Sequence, residues 1–427
     1  IVTGDWSSDV CSSDLLRPTE SLTVFLQQLG RGLRLSDGKE CLTVLDFVGQ
    51  AHKNYSFEEK FRALIGKTKH SVQHYVENGF SNLPKGSFIQ LEKQAKEYIL
   101  RNIKDSSHTR GNLVAKMKHF QQDTGLELTL GNFLSHYQLS LYDFYGKNRN
   151  RSFTRMKIEA GLTADFHWDL EDFVTGRLQN LFFLNSSTQI RFLIRYIEEG
   201  MISSKEEKLF INMFYYSFYK AFPIKEGLTS IKEGVKGILA DTTFRQEILE
   251  ILEYKYNALE TIEIPNDFPF QSPLRVHCNY STTQVLAALG YYTEEKSPAF
   301  REGVKYFQDK NLDIFFITLN KSEKDFSPST LYEDYAINDR LFHWQTQSRV
   351  TETSPTAQRY IHHKKQKHQI ALFVREYKQE YGHTSPFVYL GTADYVRHYG
   401  DKPMSYIWKL RDEMPSYLVP RANKSIL

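Results

Sequence analysis

The sequence predicts a multidomain α+β protein, and three observations lead to this fold class. A short apolar, partly β-branched run at 41–48 is typical of a buried strand in a parallel sheet. Apolar residues at helical spacing dominate residues 79–262, whereas period-two alternation takes over at 263–427. The chain has 427 residues, 41% of them hydrophobic, which is enough for two or three domains with substantial cores.

The opening segment has the character of an artefact. Residues 4–15, with the sequence GDWSSDVCSSDL, show neither periodicity nor capping residues, and they read like a translated sequencing-library adapter. We therefore expect residues 1–15 to have no place in the fold, and the chain to be the back end of a longer protein. The alternative is a genuine acidic, serine-rich loop.

Two arginines three residues apart follow this segment. Arg31 and Arg34 stand just behind Gly30 in the string QQLGRGLR at 27–34. In a helix, positions three apart share a face, so both side chains would point at one target. Arginine suits a phosphate target, because its planar donor fork stays charged. The alternative is an arginine-rich amphipathic helix without a nucleotide.

This string resembles motif VI of superfamily 2 helicases of the DEAD/DEAH type, whose pattern is roughly Q-R-x-G-R-x-x-R. Four positions match the motif, namely Gln27, Gly30, Arg31 and Arg34. The resemblance implies that Arg31 and Arg34 act as arginine fingers on the transferring γ-phosphoryl group, with Gln27 and Gly30 at the nucleotide. Gln28 stands where many members have arginine, and no role is assigned to it.

The resemblance also implies that residues 16–78 are the C-terminal remnant of a second RecA-like lobe. The first lobe of such a helicase carries a phosphate-binding G-x-x-x-x-G-K-[ST] loop and a D-E-x-[DH] motif. Neither occurs here, since the Gly-Lys-Thr at 66–68 has Phe61 where the loop needs glycine. ATP and Mg²⁺ are thus expected only in a longer parent, with the missing lobe as partner. This chain alone is expected to be inactive and to need no cofactor.

Residues 79–262 are predicted to form an all-helical domain with its aromatic stripes in the core. Within it, the segment Tyr142–Lys157 is rich in basic residues with interleaved aromatics. Cations bind phosphates and exposed rings stack on bases, so this segment is a candidate nucleic-acid contact. The candidates are Lys147, Arg149, Arg151 and Arg155. A solvated basic loop is the alternative.

Three prolines at 262–273 mark a linker, after which residues 263–427 are predicted to form a β-rich domain. Several short strands divided by turns suggest a closed or half-closed antiparallel barrel. The predicted strands are Leu274–Tyr280, Asp313–Leu319, Arg340–Ser348, Ile370–Lys378, Phe387–Leu390, Tyr395–His398 and Met404–Leu410. One short helix, Ser281–Leu289, is predicted after the first strand.

One predicted strand places His343, Gln345 and Gln347 on one face, because alternate residues of a strand point the same way. Amides pair with base edges and rings stack on extruded bases, which makes these three residues nucleic-acid candidates. Phe342, Trp344 and Thr346 would face the other way. Any half-buried strand shows the same alternation, and this is the alternative.

The densest basic cluster lies at 359–368 and includes Lys364 and Lys365 as candidate phosphate contacts. A solvated loop is again the alternative. Its histidines have no cysteine or carboxylate at ligand spacing, so no metal is expected.

The strings LFHWQTQS at 341–348, SPFVYLG at 385–391 and GDKPM at 400–404 carry a second resemblance. They look like a C-terminal domain of unknown function at the end of bacterial DEAD/DEAH-type helicases, often ones that begin with a phospholipase-D-like nuclease domain. This resemblance covers roughly residues 80–418. The enclosing proteins look like restriction or DNA-defence enzymes.

The expected function is that of the C-terminal part of an ATP-dependent DNA helicase or translocase whose accessory domains contact DNA. A non-enzymatic protein- or nucleic-acid-binding module is the alternative. The net charge is only +3, so any nucleic-acid site must be a local patch. Three cysteines, one of them in the opening segment, exclude a disulfide framework. The sequence contains no run of 18 apolar residues, so no membrane span is predicted, and the cytoplasm is the expected location.

Overall fold

The computed structural model divides the chain into two compact units. One comprises Ile1–Lys116 with Phe133–Asp143, and the other comprises Met117–Asn132 with Phe144–Leu427. The structure describes residues 12–15, 25–27, 43–46, 57–65, 72–80, 83, 89–105, 110–137, 139–146, 152–320, 334–346, 350–380, 383–416 and 418–419.

The first unit contains a pair of parallel strands, β1 (Ser12–Leu15) and β2 (Thr43–Asp46). The strand predicted within 41–48 is therefore confirmed for Thr43–Asp46, including its parallel pairing. Its partner Ser12–Leu15 lies in the segment that we expected to have no place in the fold. Two strands do not establish a RecA-like lobe, so that assignment stays a prediction.

Helices α1 (Phe57–Ile65), α2 (Val72–Asn78) and α3 (Lys93–Asp105) follow. They share one apolar core, because Val72 on α2 and Ile99 on α3 are fully buried in the same cluster. Three further helices complete this stretch of the chain, namely α4 (Arg110–Thr124), α5 (Leu130–His136) and α6 (Leu141–Tyr145).

Most of the helices described between residues 152 and 257 begin at capped positions, as local physical chemistry predicts. Ser152, Ser186, Ser204 and Ser230 each accept a hydrogen bond from a backbone N–H three residues later. These helices are α7 (Phe153–Glu159), α8 (Glu171–Thr175), α9 (Ser187–Glu199), α10 (Lys205–Phe218), α11 (Ile231–Ile238) and α12 (Thr242–Asn257), with 3₁₀ turns at Leu178–Leu181 and Pro223–Glu226. Within the described part of 79–262 the regular elements are helical, as predicted.

The last third of the chain contains a mixed sheet. The strands of this region are β3 (Ile264–Pro265), β4 (Arg275–Val276), β5 (Asn279–Tyr280), β6 (Val304–Phe307), β7 (Leu312–Thr318), β8 (Tyr335–Ala336), β9 (Leu341–Gln345), β10 (Gln369–Arg375), β11 (Gln379–Glu380), β12 (His383–Thr384), β13 (Phe387–Tyr399) and β14 (Ser405–Leu410). Strands β3 and β4 pair only with each other among the described strands, as do β11 and β12, and the other eight form the mixed sheet. Helix α13 (Thr282–Ala288) confirms the predicted short helix, and α14 (Pro355–Ile361) precedes β10.

The predicted β-rich domain is confirmed as a mixed, mostly antiparallel sheet, and the described strands show no closed barrel. The strand order is β6-β7-β10-β13-β14-β9-β8, with β5 paired to β13, and no described strand joins β6 to β8 to close the sheet. Strands β7 and β10 are parallel in register, whereas the other neighbours of this sheet are antiparallel. A parallel pair needs a crossover connection, which here contains β8, β9 and α14. The two strands predicted at 387–390 and 395–398 are one strand, β13.

Aromatic residues form much of the core around the sheet. Tyr360 of α14 packs edge-on against Phe315 of β7 and Trp408 of β14. Elsewhere Phe373 of β10 stacks on Tyr389 of β13, with ring centroids 4.6 Å apart. Such pairs add to the burial of apolar area.

The proline-rich segment at 262–273 does not separate two compact units. Helix α10 packs against α13, where Gln284 Nε2 donates to Ser217 Oγ at 3.1 Å. The Tyr216 hydroxyl of α10 donates to the Thr293 carbonyl beyond α13. The helical residues from 144 onward and the sheet therefore belong to one unit. Among the described residues, no helix combines the length and apolar character that crossing a membrane requires.

Candidate nucleic-acid interface

Most of the motif VI string lies outside the described residues. This holds for Gly30, Arg31 and Arg34, whereas Gln27 is an exposed residue in a helical stretch at 25–27. The nucleotide role of all four stays a prediction.

In the basic segment 142–157, Lys147, Arg149 and Arg151 also lie outside the described residues. Arg155 on α7 forms ion pairs with Glu171 and Asp165 and donates to the Phe166 carbonyl at 2.8 Å. The hydrogen bond with Glu171 is the main reason why the pKa of Arg155 is raised. These contacts give Arg155 an intramolecular role that sequence reasoning missed, and its assignment to nucleic acid stays a prediction.

Strand β9 shows the predicted alternation of faces. Phe342 and Trp344 belong to the buried core cluster, whereas His343 and Gln345 lie opposite Ile407 and Ser405 of β14. Gln347 lies outside the described residues.

The two polar side chains of this face already have partners in the protein. The His343 ring is buried and stacks on Tyr335 at a centroid distance of 4.6 Å, and Gln345 Nε2 donates to Ser405 Oγ at 3.2 Å. Reading of a base by these groups stays a prediction.

The basic cluster at 359–368 divides into an exposed part and a buried part. We call residues 362–367, between α14 and β10, the basic turn. Its exposed basic side chains are His362, Lys364, Lys365 and Lys367. By contrast, His363 within the turn and His368 directly after it are 1% and 2% exposed. Sequence reasoning treated all of these residues alike.

His363 anchors the turn as a neutral ring. Its Nδ1 lies 3.1 Å from the His368 carbonyl, which only accepts, so Nδ1 carries the proton. Its Nε2 accepts from the Tyr395 backbone N–H of β13 at 2.9 Å, so that nitrogen has none. Burial lowers the pKa of His363, which agrees with the neutral form.

His368 anchors the end of the turn through two acceptors. Its Nε2 lies 2.8 Å from Asp313 Oδ2, and its Nδ1 lies 3.1 Å from Asn311 Oδ1. The Asn311 amide donates to the Gln366 carbonyl at 2.7 Å, which leaves its oxygen facing His368. Both ring nitrogens of His368 therefore face side-chain oxygen atoms.

Asp313, which is fully buried at the start of β7, joins this anchor to α14. Besides His368, it accepts from Arg359 Nε at 2.6 Å and from a second guanidinium nitrogen at 3.2 Å. The Arg359 guanidinium also lies 3.9 Å from the centre of the Tyr306 ring. Sequence analysis did not assign a role to Asp313. The signal that could have indicated one is the position of a carboxylate inside an apolar run.

The surface of the basic turn is locally positive. Lys364 Nζ lies 3.0 Å from Asp394 Oδ2, but no acidic group pairs with Lys365 or Lys367 in the part of the chain that the structure describes. Two lysines and a histidine thus face solvent from a turn whose buried residues are fixed, an arrangement that suits contact with phosphates.

Part of the chain matches the model of a known family. Residues 274–421 match the model of a domain of unknown function, DUF3427, which is known in helicase-associated proteins. The match spans the mixed sheet, α14 and the basic turn. It does not identify a helicase superfamily. No curated protein matches the chain.

Proposed function

We propose that residues 274–421 bind the phosphate backbone of nucleic acid through the basic turn, as an accessory domain of an ATP-dependent DNA helicase or translocase. The observation that carries this proposal is the exposure of Lys364, Lys365 and Lys367 on a turn with buried histidines at 363 and 368. The match to a domain known in helicase-associated proteins supports the proposed association with a helicase.

The anchors matter because an ordered turn loses less conformational freedom on binding than a flexible one. His363 and His368 are tied to backbone, to β13 and to β7, so the lysines between them are held close together. Lysine contacts phosphate as a point charge and does not read base edges. The turn therefore favours binding that is independent of sequence and dependent on salt.

The test is a titration of labelled duplex DNA and single-stranded DNA with the whole chain at several salt concentrations, read by fluorescence anisotropy. A variant with Lys364→Gln, Lys365→Gln and Lys367→Gln should bind more weakly. Each lost duplex contact should lower the slope of log affinity against log salt by about 0.9.

A matched control removes three exposed lysines elsewhere in the same unit, with Lys225→Gln, Lys232→Gln and Lys236→Gln. This control changes the net charge equally and should keep most of the wild-type slope. Equal loss in both variants would assign the binding to overall charge and not to the basic turn. Salt-insensitive binding of a protein, with none of DNA, would favour the non-enzymatic module.

The proposal also assigns Arg31 and Arg34 to ATP hydrolysis, and this assignment has its own test. In a protein that also contains the ATP-binding lobe, Arg34→Ala should reduce ATP turnover by about 10³-fold or more and leave nucleotide binding largely intact. Steady-state hydrolysis measures ATP turnover, and titration with nucleotide measures binding. Normal turnover in this variant would remove the arginine-finger assignment without affecting the basic turn.

A further inference from the structure

Arg375 is the last residue of β10 and lies beside Thr318, the last residue of β7. Because β7 and β10 are parallel, their carboxyl ends meet at one edge of the sheet. The edge lies at the opposite end of β10 from the basic turn.

The partners of the Arg375 guanidinium are neutral. Its Nε donates to Thr318 Oγ1 at 3.0 Å, and Nη1 donates to the Ser385 carbonyl at 3.1 Å. The guanidinium lies 4.3 Å from the centre of the Phe387 ring. Over the described ranges, no carboxylate pairs with Arg375, although the side chain is only partly exposed. Burial lowers the pKa of Arg375 to about 10.

Ser385 contributes a second polar group at this edge. Its hydroxyl is buried, with the residue 6% exposed, and it has no hydrogen-bond partner among the residues that the structure describes. Buried polar groups are usually paired, because an unmade hydrogen bond is costly. The carbonyl of this same serine accepts from Arg375, so within the described ranges one residue combines an unpaired hydroxyl with a contact to a cation that has no carboxylate partner.

We propose that Arg375 and Ser385 form an anion site that binds a phosphoryl group, with the guanidinium supplying charge-assisted hydrogen bonds and the hydroxyl one further donor. The planar donor fork of arginine matches the oxygens of phosphate and of carboxylate, and a phosphoryl group also offers oxygens to a further donor. The site lies at least about 20 Å from the basic turn, the length of β10. It therefore does not rest on the function proposed for that turn.

The test measures thermal unfolding of the whole chain at increasing inorganic phosphate, with ionic strength held constant by chloride. Because a ligand that binds only the folded state stabilises it, the wild-type midpoint should rise with phosphate concentration. Arg375→Met should abolish this rise. The variant with Lys364, Lys365 and Lys367 changed to glutamine should keep it, even if its DNA binding is lost.

Further arms identify the source of the phosphoryl group. Stabilisation by AMP but not by a short oligonucleotide without terminal phosphate indicates a phosphomonoester, and the reverse indicates a phosphodiester backbone. Acetate tests for a carboxylate. Absence of a phosphate effect in the wild type, an equal effect of acetate, or an unchanged effect in Arg375→Met would overturn the proposal.

A measurement on the unaltered chain covers the case in which Arg375→Met fails to fold. Phenylglyoxal modifies accessible guanidinium groups, and peptide mapping assigns the modified arginine. Phosphate should slow modification of Arg375 several-fold and leave Arg411, which pairs with Asp267 and Asp394, unaffected. Equal rates for Arg375 with and without phosphate would contradict the site.

Discussion

A partly buried arginine lies near each end of β10, and the two arginines have different partners. At the amino end, Arg359 pairs with the buried carboxylate of Asp313, which also meets His368. At the carboxyl end, the described partners of Arg375 are a hydroxyl, a carbonyl and an aromatic ring. The first arrangement satisfies its charges internally and holds a surface turn in place. The second leaves a charge that an external anion would balance, so the same residue type serves structure at one end and binding at the other.

The largest effect that separates these ends should come from Asp313→Asn. The amide leaves the charge of Arg359 uncompensated, and it cannot accept from both Arg359 and His368 through two oxygens. Breaking a buried pair in this way should lower the free energy of unfolding by roughly 3 to 5 kcal/mol. Urea unfolding measures it, with Asp309→Asn, an exposed neighbour, as a control within about 0.5 kcal/mol. A loss below 1 kcal/mol for Asp313→Asn would show that the network is not structural.

Arg375→Met should have a smaller effect in the absence of phosphate. It removes two hydrogen bonds to neutral acceptors but also a desolvated charge, so the free energy of unfolding should fall by about 1 to 2 kcal/mol. The same urea unfolding measures this. A loss as large as that of Asp313→Asn would make both arginines structural and remove the difference between the two ends.

Mild acid should lower the free energy of unfolding through His363, which anchors the basic turn at the amino end of β10. Its pKa in the folded chain lies below the ordinary value of about 6.5, so the unfolded chain takes up a proton first. Its contribution to stability is present above pH 6.5 and is lost as pH falls through the folded pKa, by at most about 1.4 kcal/mol per pH unit. Chemical unfolding at several pH values between about 5 and 7.5 should therefore show a steeper loss for wild type than for His363→Gln. Parallel curves would exclude His363 as the cause.

The smallest expected effect is a gain in affinity. Asp394→Asn removes the carboxylate that partly compensates Lys364, so the basic turn becomes more positive. A unit charge at this distance is worth about 1 kcal/mol near water, which corresponds to an increase in DNA affinity of no more than about five-fold at low salt. Anisotropy titrations measure it, with the exposed Asp169→Asn as control. Weaker binding by Asp394→Asn would place the DNA elsewhere.

Local patterns in the sequence predicted the elements of this chain better than their arrangement. Alternation placed Phe342 and Trp344 in the core, and helical spacing predicted that the regular elements of residues 79–262 are helices. Alternation specifies which face a residue occupies, but not which strand lies next to it. For that reason the parallel pairing of β7 with β10 was missed and a barrel was predicted instead.

The candidate site shows the same limit at the level of side chains. Charge density drew attention to Lys364 and Lys365, and both are exposed. The burial of His368 depends on Asp313, which is 55 residues away in the chain, so no local window contains both. Arg375 was not singled out, because a sequence shows that an arginine is present and not whether an acid lies beside it.

The contact between α10 and α13 has a practical consequence for protein production. Residues 274–421 match a domain model, yet Val285, Leu286 and Ala287 of α13 are fully buried in a unit that also contains α10. A fragment that begins at the proline-rich segment would expose this apolar helix to solvent, and the exposed apolar surface would promote aggregation. Expression of the matched domain should therefore start upstream of α10, so that the recombinant piece retains the helix on which α13 rests.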